Sequence, residues 1–336
     1  MFRPTPMPTL RLPRAAVASG LPRNIRPQIA SSCAEPPAGD GWLHEPKHGG
    51  HRLIVITDGD GGLKLVSRNG IDRTSLFRAA FGELAGAGRP MILDGEIAVP
   101  DSNGVTHIDA LNDAIGRRRP DGLAYFVFDL LYLDGHDLRR CSIEDRKAVL
   151  GRVIDDLDCE RIIYLDHVVG RGAELFEQMR VLGGEGIVSK RLGRAYRGGE
   201  SRDWLKTKVF ETAPFVIVGF QELGEGRLEA LHVAEERDGR FYPAGQVRFG
   251  FAGRGLWGDL DQRRTGPATS GIFPIAPVLP AEIKFFGRFK GGSIRDGVLL
   301  TIGASPPARA AVAGAWSCDS DDAVAAFGAS RVIRRR

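Results

Sequence analysis

From residue 42 onward the apolar positions fall into short runs of two periods, and their alternation sketches a mixed fold. Leu53-Ile54-Val55-Ile56 and Leu63-Lys64-Leu65-Val66 are strand-like runs on either side of Asp58-Gly59-Asp60-Gly61-Gly62, whose acids and glycines suit a hairpin turn. Met91-Ile92-Leu93 and Ile97-Ala98-Val99 predict two further strands, with Asp94-Gly95-Glu96 read as the turn between them. Residues 124–131 are continuously apolar up to Asp129 and predict a buried strand. Helical spacing appears over residues 75–87, 142–153 and 173–182. The second of these opens on Ser142 with Asp145 three positions on, a weaker form of the capping box, and the third closes on Gly183-Gly184. Strands are expected again at 187–190 and 204–208. Beyond residue 208, about five short strands separated by glycine turns suit a small β-barrel of the OB type. The expected fold class is α+β, with mixed antiparallel sheets and helices over residues 28–210 and an OB-fold β-barrel over 211–305. Residues 1–27, rich in Pro, Ala and Arg, read as an extended or disordered lead-in, and 306–336 as a flexible tail.

Composition narrows the class. The chain has 336 residues, 43% hydrophobic and 26% charged, the balance of a globular protein with room for two domains. No apolar run approaches the roughly eighteen residues of a membrane span, and the basic N-terminus lacks the apolar core of a signal peptide. The four cysteines (Cys33, Cys141, Cys159 and Cys318) form no C-x-x-C pair, which argues against a zinc site or disulfide framework and for a reducing cytoplasm. The net charge is only +4, but Arg117-Arg118-Arg119, Arg139-Arg140, Lys190-Arg191 and the terminal three arginines concentrate it, which favours a polyanionic partner.

Six segments carry candidate chemistry. Glu45-Pro46-Lys47-His48-Gly49-Gly50-His51-Arg52 places a lysine in a glycine-rich turn, where the backbone can approach a nucleotide and a deprotonated amine can act as nucleophile. Ser67-Arg68-Asn69-Gly70 holds an arginine on a tight turn, and arginine grips phosphate in a forked geometry. Asp94-Gly95-Glu96 offers carboxylates to a ribose or a metal. Phe128 offers a ring to a base. Gly183 to Arg191 exposes Glu185 between glycines as a candidate metal ligand, and Trp204-Leu205-Lys206-Thr207-Lys208 directs two lysines to one strand face, an arrangement that calls for an anion. Taken singly, these segments read more readily as a turn, a solvated edge or a core residue.

In order, Glu45-x-Lys47-x-x-Gly50-x-Arg52, Ser67-Arg68-Asn69-Gly70, Asp94-Gly95-Glu96, Phe128-Asp129-Leu130-Leu131, Glu185-Gly186-Ile187-Val188-Ser189-Lys190 and Trp204-Leu205-Lys206-x-Lys208 resemble the nucleotidyltransferase motifs of ATP-dependent DNA ligases. The likeness covers residues 28 to about 300 and is nearest to the ligase module of bacterial non-homologous end-joining ligases, the ligase D type, most closely in Trp42-Leu43-His44-Glu45 and in Glu185 to Arg191.

The resemblance implies a nucleotidyltransferase (adenylation) domain followed by the OB-fold. Lys47 would take AMP from ATP as a phosphoramidate, pass it to a DNA 5′-phosphate, and the 3′-hydroxyl would displace it. By the same likeness Glu45 lies beside the adenine pocket and Phe128 stacks on adenine. Glu96 holds the ribose, and Arg52 and Arg68 contact AMP or the nick phosphate. Lys206 and Lys208 bind the α-phosphate, and Glu185 binds Mg²⁺ or Mn²⁺. Arg295, in Ile294-Arg295-Asp296-Gly297, is the match for a DNA or pyrophosphate contact. The implied partners are nicked or broken double-stranded DNA and a Ku-like end-binding protein, for a monomer acting in the cytoplasm at the nucleoid, without the polymerase and phosphoesterase modules that often accompany this ligase.

Two departures stand out. Gly49 occupies the position of a family aspartate, and Gly297 that of a lysine. The first predicts adenylation with slower sealing, with His48 or His51 partly compensating, and predicts that Gly49→Asp speeds nick sealing. The alternatives kept open are an RNA ligase or capping-type enzyme and a catalytically weakened DNA-end-binding accessory protein.

Overall fold

The computed structural model describes residues 10–303 apart from 225 and 290. The chain divides into two compact units, one ending at Val209 and one starting at Phe210. Among the described residues no helix is long and apolar enough to cross a membrane.

The first unit is built on two sheets. The larger has seven strands, in the order Val17–Ala18, His136–Asp137, Ala124–Leu133, Pro90–Ala98, His51–Asp58, Leu63–Ser67, with Ile162–Tyr164 pairing alongside Ala124–Leu133. The 53–56 and 63–66 runs form the expected hairpin, Leu53 opposite Ser67 and Thr57 opposite Leu63. Its core packs Leu53, Val55, Leu93, Val127 and Leu130 against Phe77 and Phe81 of the helix Thr74–Phe81 and against Val149, Leu150 and Val153 of the helix Ile143–Leu157. Ser142 caps the latter helix, its hydroxyl accepting from the Asp145 amide at 3.2 Å. The helix expected to reach residue 87 gives way at Gly82 to a 3₁₀ turn through Gly86.

One expectation is corrected here. Asp94-Gly95-Glu96 is not a turn: Pro90–Ala98 is a single strand running through it. Gly95 is needed there for space, since a Cβ would stand 2.6 Å from both the Phe126 carbonyl and the Tyr125 ring of the neighbouring strand. The pairing slips by one residue between Asp94 and Gly95, a local bulge that accommodates the close approach.

The smaller sheet has five strands in the order Val168–Val169, Trp42–Pro46, Gly186–Arg191, Gly199–Lys208, Gln28–Ser32. The lead-in is not loose where it is described: Leu10, Leu12 and Ala16 pack on the main core, and Leu21 and Ile25 on a smaller cluster around Trp204 and Tyr196. The burial of those five apolar side chains outweighs the disorder-prone composition around them.

In the second unit, Glu211–Gly224, Arg227–Arg237, Arg240–Phe249, Gly297–Ile302 and Phe273–Phe285 close into a barrel around Phe220, Leu231, Val247 and Ile283. This is the OB-type barrel expected from the strand spacing. The proposed tail from residue 306 lies outside the described residues.

Candidate active site

The register of the smaller sheet builds the site. Trp42–Pro46 runs antiparallel to Gly186–Arg191 with Glu45 opposite Val188 and Pro46 opposite Ile187. One step further, the Lys47 amide donates to the Gly186 carbonyl at 2.9 Å. Lys47 is thereby brought beside Glu185, although 138 positions separate them, and its Nζ forms an ion pair with the Glu185 carboxylate. Gly186 itself sits at φ +126°, where a Cβ would meet the Thr207 carbonyl at 2.1 Å, so the strand can make this approach only with glycine.

A cleft of about 570 Å³ opens in front of Lys47. Its lining brings together Glu45, Lys47, Arg52, Arg68, Glu96, Phe128, Lys206 and Lys208 from five strands and two turns. Lys206 and Lys208 both reach it because alternate residues of Gly199–Lys208 share a face. Arg68 is exposed on the turn after Leu63–Ser67, where the Gly70 amide closes back on the Ser67 carbonyl at 2.8 Å. The cluster is cationic enough to be felt: burial first, then the charges of Lys208, Lys47 and Arg68, hold the Lys206 amine below its ordinary pKa. A cluster of like charges of this kind favours an anion.

The remaining residues fall into two groups. Glu96, half-buried on the cleft wall, is pushed up to about 7 by burial, against the pull of Lys47 and Arg52. Arg52 lines the cleft with most of its fork already engaged: its Nε and one terminal nitrogen hold Asp94 at 2.8 and 2.6 Å, and the other terminal nitrogen donates to the Gln28 carbonyl at 2.6 Å. At the opposite end, Glu45 is 1% exposed and lies between two lysines, Lys147 at 2.5 Å and Lys190 at 2.8 Å. Phe128 stands edge-on to Trp204 there, with the Lys190 ammonium 4.5 Å from its ring centre. Beneath, Arg146 and Asp129 form a fully buried bidentate pair at 2.7 and 2.8 Å. Burial works to raise the Asp129 pKa, and Arg146 more than reverses it, so the carboxyl is held below its usual range.

Lys147 and Thr106 escaped the motif reading, and Lys190 and Trp204 stood inside two motifs without an assigned role. A signal for Lys147 and Arg146 was present: both fall in the apolar register of their helix with Ile143, Leu150, Val153 and Ile154. Thr106 ties down the loop after Lys47, its hydroxyl accepting from the Gly49 amide at 2.8 Å and lying 3.1 Å from His48 Nδ1. No sequence pattern pointed to it.

The space around Gly49 changes the expectation attached to it. A Cβ at residue 49 would stand 2.6 Å from Glu185 Oε1 and 2.9 Å from the Thr106 carbonyl oxygen. Glu185 and Thr106 fill the place an aspartate would need. His48 does not stand in for that carboxylate either: its ring stacks on Phe126 at 3.9 Å, and burial, then Lys47, lower its pKa to about 4, leaving it neutral near pH 7. Arg295 belongs to the second unit, its guanidinium 4.9 Å from the Phe286 ring. The Cβ direction of Gly297 points into the barrel core, 2.9 Å from Ile294 Cδ1.

For a metal, no three His, Cys, Asp or Glu side chains cluster among the described residues. The two carboxylates near Lys47, Glu185 and Glu96, are nevertheless hard oxygen donors beside a phosphate-binding surface, which suits a divalent cation that takes its other ligands from phosphate and water.

Comparison with known proteins places this geometry. The model of the ATP dependent DNA ligase domain matches residues 27–208. The chain belongs to the ATP-dependent DNA ligase family. It is 33% identical over 312 residues to the multifunctional non-homologous end joining protein LigD of Pseudomonas aeruginosa, covering 86% of this chain and 36% of that protein. It is 32% identical over 275 residues to the corresponding LigD of Mycobacterium tuberculosis, covering 76% of this chain and 35% of that one. It thus spans about a third of the length of these curated relatives. Among solved structures, the ligase domain of M. tuberculosis LigD is similar at a TM-score of 0.51 and 27% identity, over 82% of this chain and 94% of that one. The fold class, a ligase-type nucleotidyltransferase unit followed by a barrel, and the use of ATP follow for this ligase.

Proposed function

We propose that Lys47 is the AMP acceptor of this ligase, and that the chain seals nicks or broken ends in DNA, in repair by non-homologous end joining. The observation that carries this reading is the convergence on one cleft of Lys47, Arg68, Lys206 and Lys208, with Glu185 at the amine. An ATP molecule laid there has its phosphates among the lysines and its base toward Phe128 and Glu45. The Lys47 amine, relieved of its proton, attacks the α-phosphorus; an N–P bond forms, the bond to the bridging oxygen breaks, and pyrophosphate leaves. Lys206, Lys208 and Arg68 neutralise the charge that develops on the phosphoryl oxygens. Glu96 holds the ribose, and Arg52, anchored by Asp94, presents its residual charge to the nucleotide. Glu185 would hold a divalent cation, Mg²⁺ or Mn²⁺, which when bound would supply further charge neutralisation at the phosphates. Arg295 is proposed as a contact to DNA or pyrophosphate. We place the protein in the cytoplasm, at the nucleoid, as a monomer working with a Ku-like end-binding partner.

The test is labelling with α-³²P-ATP. A protein–AMP adduct that is stable to denaturation and alkali but labile to acid, as a phosphoramidate is, is expected from the unaltered chain and none from Lys47→Ala; an adduct on Lys47→Ala would sink the assignment. Nicked duplexes ending in a DNA or an RNA 3′ nucleotide then separate DNA sealing from RNA-ligase activity. Gly49 favours a second, narrower reading in which adenylation outpaces sealing. An adduct that forms readily but moves slowly to a nick would support it.

A further inference from the structure

Glu45 is the only carboxylate in the described cleft lining that is almost fully buried, and the two lysines on it are not equivalent. Lys190 lines the cleft itself, donating to the Phe128 carbonyl at 3.0 Å and lying 4.4 Å from the Trp204 ring centre. Lys147 does not line it. Its ammonium approaches from behind, on the helix Ile143–Leu157, and makes three contacts: Glu45 Oε1 at 2.5 Å, the Leu165 carbonyl at 2.7 Å and the Tyr164 ring at 4.6 Å. Glu45 and Leu165 are both part of the cleft lining. One side chain outside the cleft therefore ties together two residues of its wall 120 positions apart in sequence, Glu45 on the smaller sheet and Leu165 just after the Ile162–Tyr164 strand of the larger.

We propose that Lys147 is a positioning residue for recognition of the nucleotide base, acting through Glu45. This rests on the nucleotide-binding reading given above. A carboxylate flanked by two ammonium groups can only accept hydrogen bonds. With Lys147 on one oxygen and Lys190 on the other, it is fixed in one orientation before any ligand arrives, and its unused lone pairs are offered to a base edge that carries an N–H donor. An adenine amino group satisfies it; a guanine carbonyl in the same place would face it oxygen to oxygen. Without Lys147 the carboxylate keeps Lys190 alone and is free to turn toward it. Lys147 stands away from the phosphate end, so its loss leaves the attack of Lys47 untouched once ATP is bound.

The experiment compares self-adenylation of the full chain with its Lys147→Met, Glu45→Gln and double variants, using ATP and GTP. Lys147→Met is expected to raise the KM for ATP about tenfold, to leave the rate at saturating ATP within about twofold, and to narrow the preference for ATP over GTP. The double variant is expected to be no worse than Glu45→Gln alone, because Lys147 acts only through that carboxylate. An unchanged KM, or losses that add in the double variant, would overturn the proposal in favour of a purely structural lysine. Should Lys147→Met fail to fold, with Glu45 left short of a partner, the double variant against Glu45→Gln still decides, since both charges are then gone. Absence of label on the unaltered chain would overturn the nucleotidyl-transfer reading itself, whereas normal label with an unchanged KM overturns only the role of Lys147.

Discussion

The two ends of the cleft solve opposite electrostatic problems. At the Glu45 end each of these charges is buried against an opposite one: Glu45 between Lys147 and Lys190, Asp129 with Arg146, all within a few per cent of full burial. At the Lys47 end cations outnumber carboxylates, and Arg68, Lys206 and Lys208 stay open enough to meet an incoming anion. Matched buried charges fix geometry and add little net stability. Like charges crowded at a cleft repel one another, a cost that a bound polyphosphate would relieve. The contrast separates a preformed end that recognises from an open end that reacts.

The largest effect should come from the open end. Lys47→Ala is expected to remove the adduct altogether, measured by retention of label on the denatured protein at neutral or alkaline pH. Next comes the matched end: Arg146→Met strands the Asp129 carboxylate in the core and should cost about 3–5 kcal/mol of stability, read by denaturant unfolding. If that variant were as stable as the parent, the buried end would not be the rigid frame described here. Lys206→Ala is expected to slow adenylation about 100-fold at saturating ATP with little change in the unfolding midpoint, since it removes charge stabilisation and no packing.

Glu96 offers a test in pH. Its carboxyl is raised to about 7, so the folded protein binds more protons than the unfolded chain between the ordinary value of 4.5 and 7. Stability contributed by the protonated form is present at low pH and is lost as pH rises through that window. Glu96→Gln should therefore match the parent near pH 4 and exceed its stability at pH 8, by up to about 2 kcal/mol once partial exposure is allowed for. A parent and variant that unfold alike at pH 8 would show that burial does not raise the Glu96 carboxyl. The smallest effect is expected from Gly49→Asp. Because Glu185 and the Thr106 carbonyl occupy the space, the substitution should displace Glu185 from Lys47 and lower adenylation several-fold, with no gain in sealing; faster nick closure would show that Glu185 yields readily.

The strands, the Ser142-capped helix and the barrel were legible from periodicity, because burial on one face imposes a period that survives in the chain. Lys47, Glu185, Lys206 and Lys208 were legible as motifs. The run Asp94-Gly95-Glu96 was misread because a glycine between acids carries the same local signal whether it turns the chain or makes room for a ring. Tyr125, thirty positions away, decides which. Lys147 was passed over for a related reason: a lysine on an apolar helix face is informative only when its partner is known.

The sequence by itself determined the periodic elements, the identity of the nucleophile candidate and the family likeness, since these depend on local spacing and residue type. Tertiary structure alone decided which charges face each other. The sheet register sets Lys47 against Glu185, the helix behind the cleft brings Lys147 to Glu45, and close packing around Gly49 closes the space that a carboxylate would have taken. Each of those outcomes depends on distances between segments far apart in the chain, and electrostatic energies and packing follow distance through space, not along the sequence.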